Sequence, residues 1–377
     1  MKRILICFVV LGLCLGLGSC GKAKNETIQI AVYEPLTGNS SSGGLETLAG
    51  VEMANRERPT VLGKTVEIIK ADTQSNADVA KKVAQDLVQK HVAAAIGSCA
   101  SYLSIAGGQT FFEGKVPVVS PGSTAPAVTA NNPYYFRICF TDPGQGKVMA
   151  EYASNDLQAK TAAVVKNLDS AYSVSVCQAF KQGFVEKNGP MSVVIENNYV
   201  TDTADFTDVI AEIMDKQPDV VFAGGEYKEC VDFIQSLRQK GYDKPILGGD
   251  TWDIHGFLEG VKDTSNIYLT AHYNASNNES QKNQEFVKKC QSQGIAPASL
   301  TALGYDAYML ILDSMEKAGN TDADPLRIAL SQTQGFEGVA GKVTLDSNGD
   351  PVKPVVVDRI TDGKLEYITM VTVANQD

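Results

Sequence analysis

Histidine and paired cysteine, the usual ligands of a transition metal, are scarce in this chain. Its 377 residues include three histidines, His91, His255 and His272, which lie far apart. The cysteines beyond residue 20 form no CxxC pair and lack metal-ligand spacing; they are Cys99, Cys139, Cys177, Cys230 and Cys290. We therefore predict no metal site and interpret the histidines as solvated or packed. Five cysteines cannot pair fully, so no disulfide pairing is predicted.

Basic runs are also missing. No stretch of five or more lysines and arginines occurs, and the formal net charge is −11 at pH 7. A protein that binds phosphate charge needs clustered cations, so this balance argues against a nucleic-acid or anionic-membrane binder. The composition, with 44% hydrophobic and 20% charged residues, indicates a globular protein long enough for one large domain or two lobes.

The N-terminal hydrophobic run is too short for a comfortable membrane span. Lys2 and Arg3 precede it, which is typical of a secretory signal. The following LGSC resembles the bacterial lipobox, which directs lipid attachment to its cysteine. The motif predicts a signal peptide over 1–19, an acylated Cys20 and a linker over 20–27. The alternative is an ordinary cleaved signal with an incidental cysteine.

From residue 28 onward, apolar strand-like runs alternate with amphipathic helices. About four such units precede residue 142, and about four more lie between 160 and 272. This alternation predicts an α/β fold with mainly parallel sheets flanked by helices. In the C-terminal third, three helices are followed by two strand-like runs, GKVTLD and VVVDRITDGKLEYI. We expect those helices to cover the first sheet, and the segment SSSGG (40–44) to form a flexible loop.

The turns that follow the strands carry no enzyme motif. Ligands of open α/β sheets bind at the carboxyl ends of the strands, so catalytic residues are expected there. The turn GSCAS (97–101) lacks the second glycine of a nucleophile elbow, and no histidine is expected to follow a strand with an acid nearby. Dinucleotide and phosphate-loop motifs are absent after the early strands. These absences argue against a hydrolase and against a nucleotide site.

Two of the turns suit a carboxylate instead. Ser101 begins a predicted helix, whose free N–H groups and positive dipole end favour an anion. The next turn, VVSPGSTAP, offers Gly122 for close backbone approach and hydroxyl groups on Ser123 and Thr124. Donors without a lysine or arginine suit a small, singly charged anion, such as the carboxylate of an amino acid. The alternative is that these serines and threonines only cap helices.

Six segments occur in the order AVYEPLTG, IKADTQSNADVA, IGSCAS, VVSPGSTAP, FAGGEY and ILGGDTW. In this order they resemble the periplasmic leucine/isoleucine/valine-binding protein family, the substrate-binding components of ABC transporters. The resemblance extends over 28–370. Its most specific motif is SPGSTAP, which is close to the family's S-P-x-x-T-x-P.

The resemblance implies two lobes that close on a ligand and exclude water. The first lobe would comprise 28–140 with 273–343, and the second 141–272 with 344–377. The chain would cross between them in a three-segment hinge near 139–142, 271–274 and 343–346.

The resemblance also implies ligand contacts, residue by residue. Ser101 matches the serine that binds the ligand α-carboxylate, Gly122 matches a backbone contact, and Thr124 matches the residue that holds both α-groups. Tyr172 matches the tyrosine of the second lobe that closes over the ligand. Asp250 falls where the family has the acid that pairs with the α-ammonium, because a buried ammonium needs such a partner.

Two positions depart from the family. Glu226 replaces an aromatic residue, or shifts it by one to Tyr227, and so adds a carboxylate to the expected site. The alternative is that Glu226 faces solvent or pairs with Lys228. Gly43 falls where leucine-binding members have a bulky aromatic residue, which predicts a wider pocket. A wider pocket with an additional carboxylate would suit a polar or cationic side chain.

Two tyrosines are further candidates for the cleft. Tyr102 follows the carboxylate-binding serine and is a candidate to project into the cleft and refill part of the widened space. Tyr305, in LGYDAY, begins a predicted helix. Its side chain is a candidate for the pocket and equally for the hydrophobic core.

The expected function is that of an extracytoplasmic solute-binding component of an ABC transporter. It would bind a small amino acid, or a related amide or carboxylate, and deliver it to a membrane permease. We expect a monomer that is tethered by the lipid on Cys20, uses no cofactor and catalyses no reaction. The main alternative is a ligand-sensing receptor module of the same fold coupled to a signalling partner, since fold does not decide function. An exported hydrolase is a third candidate.

Overall fold

The computed structural model describes residues 27–201, 205–276 and 280–372. The predicted signal peptide and Cys20 lie outside these ranges. No helix within them combines the length and the apolar character that crossing a bilayer requires.

The first sheet comes from the N-terminal part of the chain. Its strands are β1 (Ile28–Glu34), β2 (Thr60–Val61), β3 (Lys64–Asp72), β4 (Ala94–Gly97), β5 (Val118–Ser120) and β6 (Tyr135–Arg137). They lie in the order β2-β3-β1-β4-β5-β6 and are parallel, except that β2 and β3 pair antiparallel. The helices between them are α1 (Ser41–Glu57), α2 (Ala77–Gln89) and α3 (Ser101–Glu113). The central strand β4 is fully buried, as expected for a sheet covered on both faces.

The second sheet takes most of its strands from the middle of the chain. They are β7 (Ala162–Asn167), β8 (Val193–Tyr199), β9 (Val220–Ala223), β10 (Ile246–Gly248) and β11 (Ile267–Ala271). The helices of this region are α4 (Asp142–Asn155), α5 (Ala171–Asn188), α6 (Thr207–Lys216), α7 (Tyr227–Gln239) and α8 (His255–Gly260). The sheet confirms the predicted α/β fold class, with parallel strands flanked by helices.

The C-terminal third of the chain contributes helices that pack beside the first sheet and strands that join the second sheet. Its helices are α9 (Gln281–Gln293), α10 (Ser299–Ala318) and α11 (Ala323–Ser331), and its strands are β12 (Phe336–Gly338), β13 (Gly341–Val343), β14 (Val355–Thr361) and β15 (Lys364–Val371). Helix α10 packs against α1 so closely that a Cβ atom at Gly50 would lie 2.0 Å from the Thr301 carbonyl oxygen. Strands β14 and β15 then complete the second sheet, whose order is β15-β14-β11-β10-β9-β7-β8.

Two local expectations are wrong. The segment 40–44 is not a flexible loop, because α1 begins at Ser41. Gly44 permits this start, since a Cβ atom there would lie 2.2 Å from the Pro35 carbonyl oxygen. The run VVVDRITDGKLEYI is not one strand but the hairpin of β14 and β15. Its turn has Asp362 and Gly363 at positive φ, which matches the twist of antiparallel strands.

Candidate ligand-binding site

A partly open cavity lies at the carboxyl ends of strands from both sheets. This is where ligands bind in open α/β folds. The lining residues are Ser40, Gly43, Cys99, Ala100, Ser101, Gly122, Thr124, Tyr172, Glu226, Tyr227, Asp250, Thr251, Asp253, Ile254, His272, Ser299 and Leu300. Six of the eight predicted ligand-binding residues are therefore brought to one cavity.

The N-terminus of helix α3 lies at the cavity. Its N-cap is Ala100, which has no polar side chain, so no side chain of the cap residue occupies the free N–H groups. Ser101 is buried, and its Oγ atom accepts a hydrogen bond from the Ala125 amide at 3.2 Å. The hydroxyl proton of Ser101 remains available for an acceptor in the cavity. Ser101 therefore does not serve as the helix cap, which was the alternative left open by the sequence.

The turn after β5 divides its side chains between the cavity and the protein interior. Gly122 and Thr124 line the cavity. Ser123 does not, contrary to prediction: its hydroxyl donates to the Ser98 carbonyl oxygen at 2.7 Å and lies 2.7 Å from the Ser104 hydroxyl. The physical reason is that Ser123 joins a buried hydrogen-bond network, in which the Ser98 carbonyl accepts from the hydroxyls of both Ser120, at 2.8 Å, and Ser123.

The second sheet contributes a carboxylate held by neutral donors. Gln145 Nε2 donates to Asp250 Oδ1 at 2.7 Å, and His272 Nε2 lies 3.0 Å from Asp250 Oδ2. Gln145 is itself oriented, because its Oε1 atom accepts from the Asp250 amide at 3.1 Å and from the Thr270 hydroxyl at 2.6 Å. The side chain of Asp250 is only 8% exposed, and it faces the cavity with a fixed orientation.

His272 is the imidazole that completes this arrangement. It follows β11 and stacks on Phe140 with the ring centroids 3.8 Å apart. Burial lowers its pKa, and the nearby Asp250 only partly opposes that effect. A neutral imidazole with its proton on Nε2 therefore donates to Asp250. The expectation that no histidine follows a strand with an acid nearby is wrong, because residues 250 and 272 meet only in the folded chain.

Tyr172 lies on the same side, at the start of α5. Its hydroxyl oxygen is 3.2 Å from the hydroxyl oxygen of Thr251, which donates to the Gly225 carbonyl at 3.0 Å. Burial raises the pKa of Tyr172 well above its ordinary value, so the phenol stays neutral. Gly249 makes room for it, since a Cβ atom there would lie 2.1 Å from the phenol oxygen.

Glu226 lines the cavity and is partly exposed, with the Ser170 hydroxyl donating to its Oε1 atom at 3.2 Å. The alternative pairing with Lys228 is wrong, because Lys228 Nζ donates to Asn39 Oδ1 at 3.0 Å. Burial, followed by the charge of Glu229, raises the pKa of Glu226 to about 7. An extra carboxyl group therefore borders the cavity, as the sequence suggested.

The space beside Gly43 is not empty. A Cβ atom on Gly43 would lie 2.8 Å from Leu300 Cδ1 and 3.2 Å from Cys99 Sγ, so these side chains occupy the predicted widening. Tyr102 does not line the cavity; its hydroxyl lies 3.1 Å from that of Ser40, which does. Leu300 comes from the distant helix α10, and no local sequence pattern indicated that it would meet Gly43.

Tyr305 belongs to a different part of the molecule. Its hydroxyl donates to Glu57 at 2.9 Å, and its ring packs edge-on against Phe286. It does not reach the cavity described above. Of the two alternatives stated for Tyr305, packing away from the pocket is the one observed.

A family model for periplasmic binding proteins matches residues 27–364. The chain belongs to the periplasmic binding protein family. Family membership confirms the resemblance deduced from the six segments, and it implies an extracytoplasmic location. Within the residues that the structure describes, no group of three or more His, Cys, Asp or Glu side chains is arranged to hold a metal ion.

This periplasmic binding protein is similar to several proteins over nearly its whole length. It is 25% identical over 376 residues to the Leu/Ile/Val-binding protein homolog 2 of Brucella abortus, covering 97% of this chain and 99% of the relative. The leucine binding protein LivK of Thermotoga maritima is 33% identical, with a TM-score of 0.86 and coverage of 92% and 99%. LivJ of Streptococcus pneumoniae, solved with isoleucine, is 26% identical, with a TM-score of 0.85 and the same coverage.

Sequence reasoning missed three further polar groups that shape the site of this periplasmic binding protein. Asp253 and Ser299 line the cavity although neither was singled out. The third missed group, Arg137, is fully buried and lies behind the cavity wall. Its guanidinium donates to the Ser123 carbonyl at 2.7 Å and to Asp350 at 2.6 Å. A lone arginine within the apolar run YYFRICF was the available signal.

Proposed function

We propose that this chain is the solute-binding component of an ABC transporter and that its ligand is an α-amino acid. The observation that carries the proposal is the division of the cavity into two kinds of polar group. Neutral donors, namely the α3 N-terminus and the Ser101 hydroxyl, lie on the side of the first sheet, where Thr124 also lines the cavity. A carboxylate, Asp250, lies on the side of the second sheet. An α-carboxylate suits the former and an α-ammonium the latter.

The relatives support transport as the purpose of binding. The Streptococcus pneumoniae protein is named as the substrate binding protein of a branched-chain amino acid transporter. We propose that this chain likewise delivers its ligand to a membrane permease. The proposed first lobe, 28–140 with 273–343, would contain the six-stranded sheet. The proposed second lobe, 141–272 with 344–377, would contain the seven-stranded sheet. Closure of the lobes would exclude water and strengthen the polar contacts with the ligand.

A thermal-shift screen of the twenty amino acids, small amides and short carboxylates tests the ligand class. We expect at least one α-amino acid to bind with a Kd in the micromolar range or tighter, about −8 kcal/mol. At about 100 times its Kd, such a ligand stabilises the native protein by ~2.7 kcal/mol and raises the melting temperature.

Matched compounds that keep only one α-group serve as controls for the screen. 4-Methylpentanoate lacks the ammonium of leucine, and isopentylamine lacks its carboxylate. Both should leave the melting temperature unchanged, because each satisfies only one side of the cavity. If simple carboxylates stabilise the protein and no amino acid does, the proposed ligand class is wrong.

We further propose that a lipid on Cys20 tethers the mature protein to a membrane. The lipobox-like LGSC supports this proposal. Metabolic labelling of a bacterial host with radioactive palmitate should mark the wild-type protein and not Cys20→Ser, which lacks the acceptor thiol. Absence of label from both proteins would indicate a simple secreted protein instead.

A further inference from the structure

The cavity contains a second buried acid that the α-amino group does not need. Asp253 follows the short helix of Asp250–Trp252 and is only 4% exposed. Its Oδ2 atom contacts the hydroxyl of Ser299, at the start of α10. Among the residues that the structure describes, no hydrogen bond reaches its Oδ1 atom, and Asp253 lines the cavity.

The direction in which the Ser299 hydroxyl donates its proton determines whether Asp253 presents a hydrogen-bond acceptor to the cavity. The Ser299 hydroxyl lies 3.0 Å from the Tyr273 carbonyl oxygen as well as against Asp253. A hydroxyl has one proton, and the carbonyl can only accept. When Ser299 donates to Tyr273, a protonated Asp253 donates to Ser299, and its Oδ1 atom is left as an acceptor. Burial and the charge of Asp358 raise the pKa of Asp253, which is consistent with this arrangement.

The rest of the cavity wall around this acceptor is mixed. Leu300, Ile254 and Cys99 give apolar surface, against which the methylene groups of a side chain can pack. Glu226 adds a third carboxyl group beside Asp250 and Asp253, and no lysine or arginine lines the cavity within the described residues. A purely aliphatic ligand that excludes water from the cavity would leave the Asp253 acceptor without a partner, which is unfavourable.

We propose that Asp253 and Ser299 select a ligand whose side chain ends in an N–H donor, as in an ammonium, a guanidinium or a primary amide. The proposal rests on the proposed function, because Asp250 is then reserved for the α-ammonium. Asp253 would then determine specificity by binding the side chain of the ligand. The α3 N-terminus and Asp250 would bind the α-carboxylate and the α-ammonium, which all amino acids share.

Calorimetry on the wild-type protein is the first test and needs no variant. The ligands are L-lysine, L-arginine, L-glutamine, L-leucine and L-isoleucine. We expect at least one of the first three to bind at least about tenfold more tightly than leucine and isoleucine, since one buried hydrogen bond to a charged or polar group has this effect. Tighter binding of leucine or isoleucine would overturn the proposal while leaving amino-acid binding intact. Failure of all amino acids to bind would instead refute the proposed function.

Two substitutions of Asp253 then distinguish a cationic from an amide side chain. Asp253→Leu removes both the acceptor and the ionisable group at similar size, and should weaken the preferred ligand by about tenfold or more while sparing leucine. Asp253→Asn keeps an acceptor oxygen but cannot ionise beside a bound cation, so it should weaken a cationic ligand strongly and glutamine only slightly. Asp232→Asn, at an exposed position of α7, is the control. Equal loss of affinity for all ligands, leucine included, would make Asp253 structural and overturn its role in specificity.

Discussion

Asp250→Asn should weaken the binding of an α-amino acid by about 30-fold or more, which corresponds to at least ~2 kcal/mol. The reason is that the α-ammonium would lose its charged partner in a site where water does not replace it. Asp250 is 8% exposed and is held by Gln145 and His272, so the cavity presents a fixed carboxylate to the ligand. Isothermal titration calorimetry with the best ligand of the screen measures the effect.

Asparagine isolates the charge in this experiment, because it preserves the shape of the side chain. The imidazole of His272 can accept a hydrogen bond from the new amide by changing its tautomer, so the network around position 250 survives. Asp232→Asn removes the same charge from an exposed position and should leave the affinity within about twofold of the wild type. Unchanged affinity of Asp250→Asn would remove this residue from the ligand site.

Arg137→Met should reduce the free energy of unfolding by about 3–5 kcal/mol, the range found when one partner of a buried ion pair is removed. Arg137 is fully buried, and Asp350, its partner, is mostly buried. The substitution also leaves the carbonyl oxygens of Ser123 and Ala125 without their guanidinium donors. These carbonyls flank Thr124, so the variant should bind its ligand more weakly as well.

Arg359→Met is the matched control, because it removes the same guanidinium from an exposed pair with Glu366. Surface ion pairs contribute little to stability, so this variant should lose far less free energy of unfolding than Arg137→Met. Urea denaturation followed by circular dichroism measures both free energies of unfolding. Similar losses for the two variants would contradict a structural role for Arg137 beneath the 120–125 turn.

Much of the fold is predictable because its signals are local. Apolar runs such as Ala162–Asn167 followed by capped amphipathic segments indicate strands and helices over a few residues. The exceptions are instructive. The helix start at 41–44 consists of serine and glycine, which locally favour a loop, and only packing against Pro35 and Leu300 explains it. Tertiary contacts therefore override local propensity there.

The candidate site was predictable to the extent that its residues follow strands. Ser101 and Thr124 were expected together because parallel strands end at the same edge of a sheet. Asp250 follows a strand of the second sheet and was expected beside them from the family resemblance; all three line one cavity. The direction of each side chain was not predictable in the same way. Ser123 is adjacent to Thr124 but its hydroxyl bonds to buried groups, because the orientation depends on which polar groups the fold places nearby. Their roles in binding stay predictions until a ligand is measured.

The sequence by itself determined the alternation of strands and helices, the turns at which a ligand is expected, and the family. These features depend on residues that are close in the chain. Only the tertiary structure decided how polar side chains pair: Asp250 with His272, Asp253 with Ser299, and Arg137 with Asp350. The partners lie 22, 46 and 213 residues apart in the chain. Burial makes each pairing obligatory, but the partner is fixed by the fold, since many polar residues could serve and only those brought within hydrogen-bond distance do.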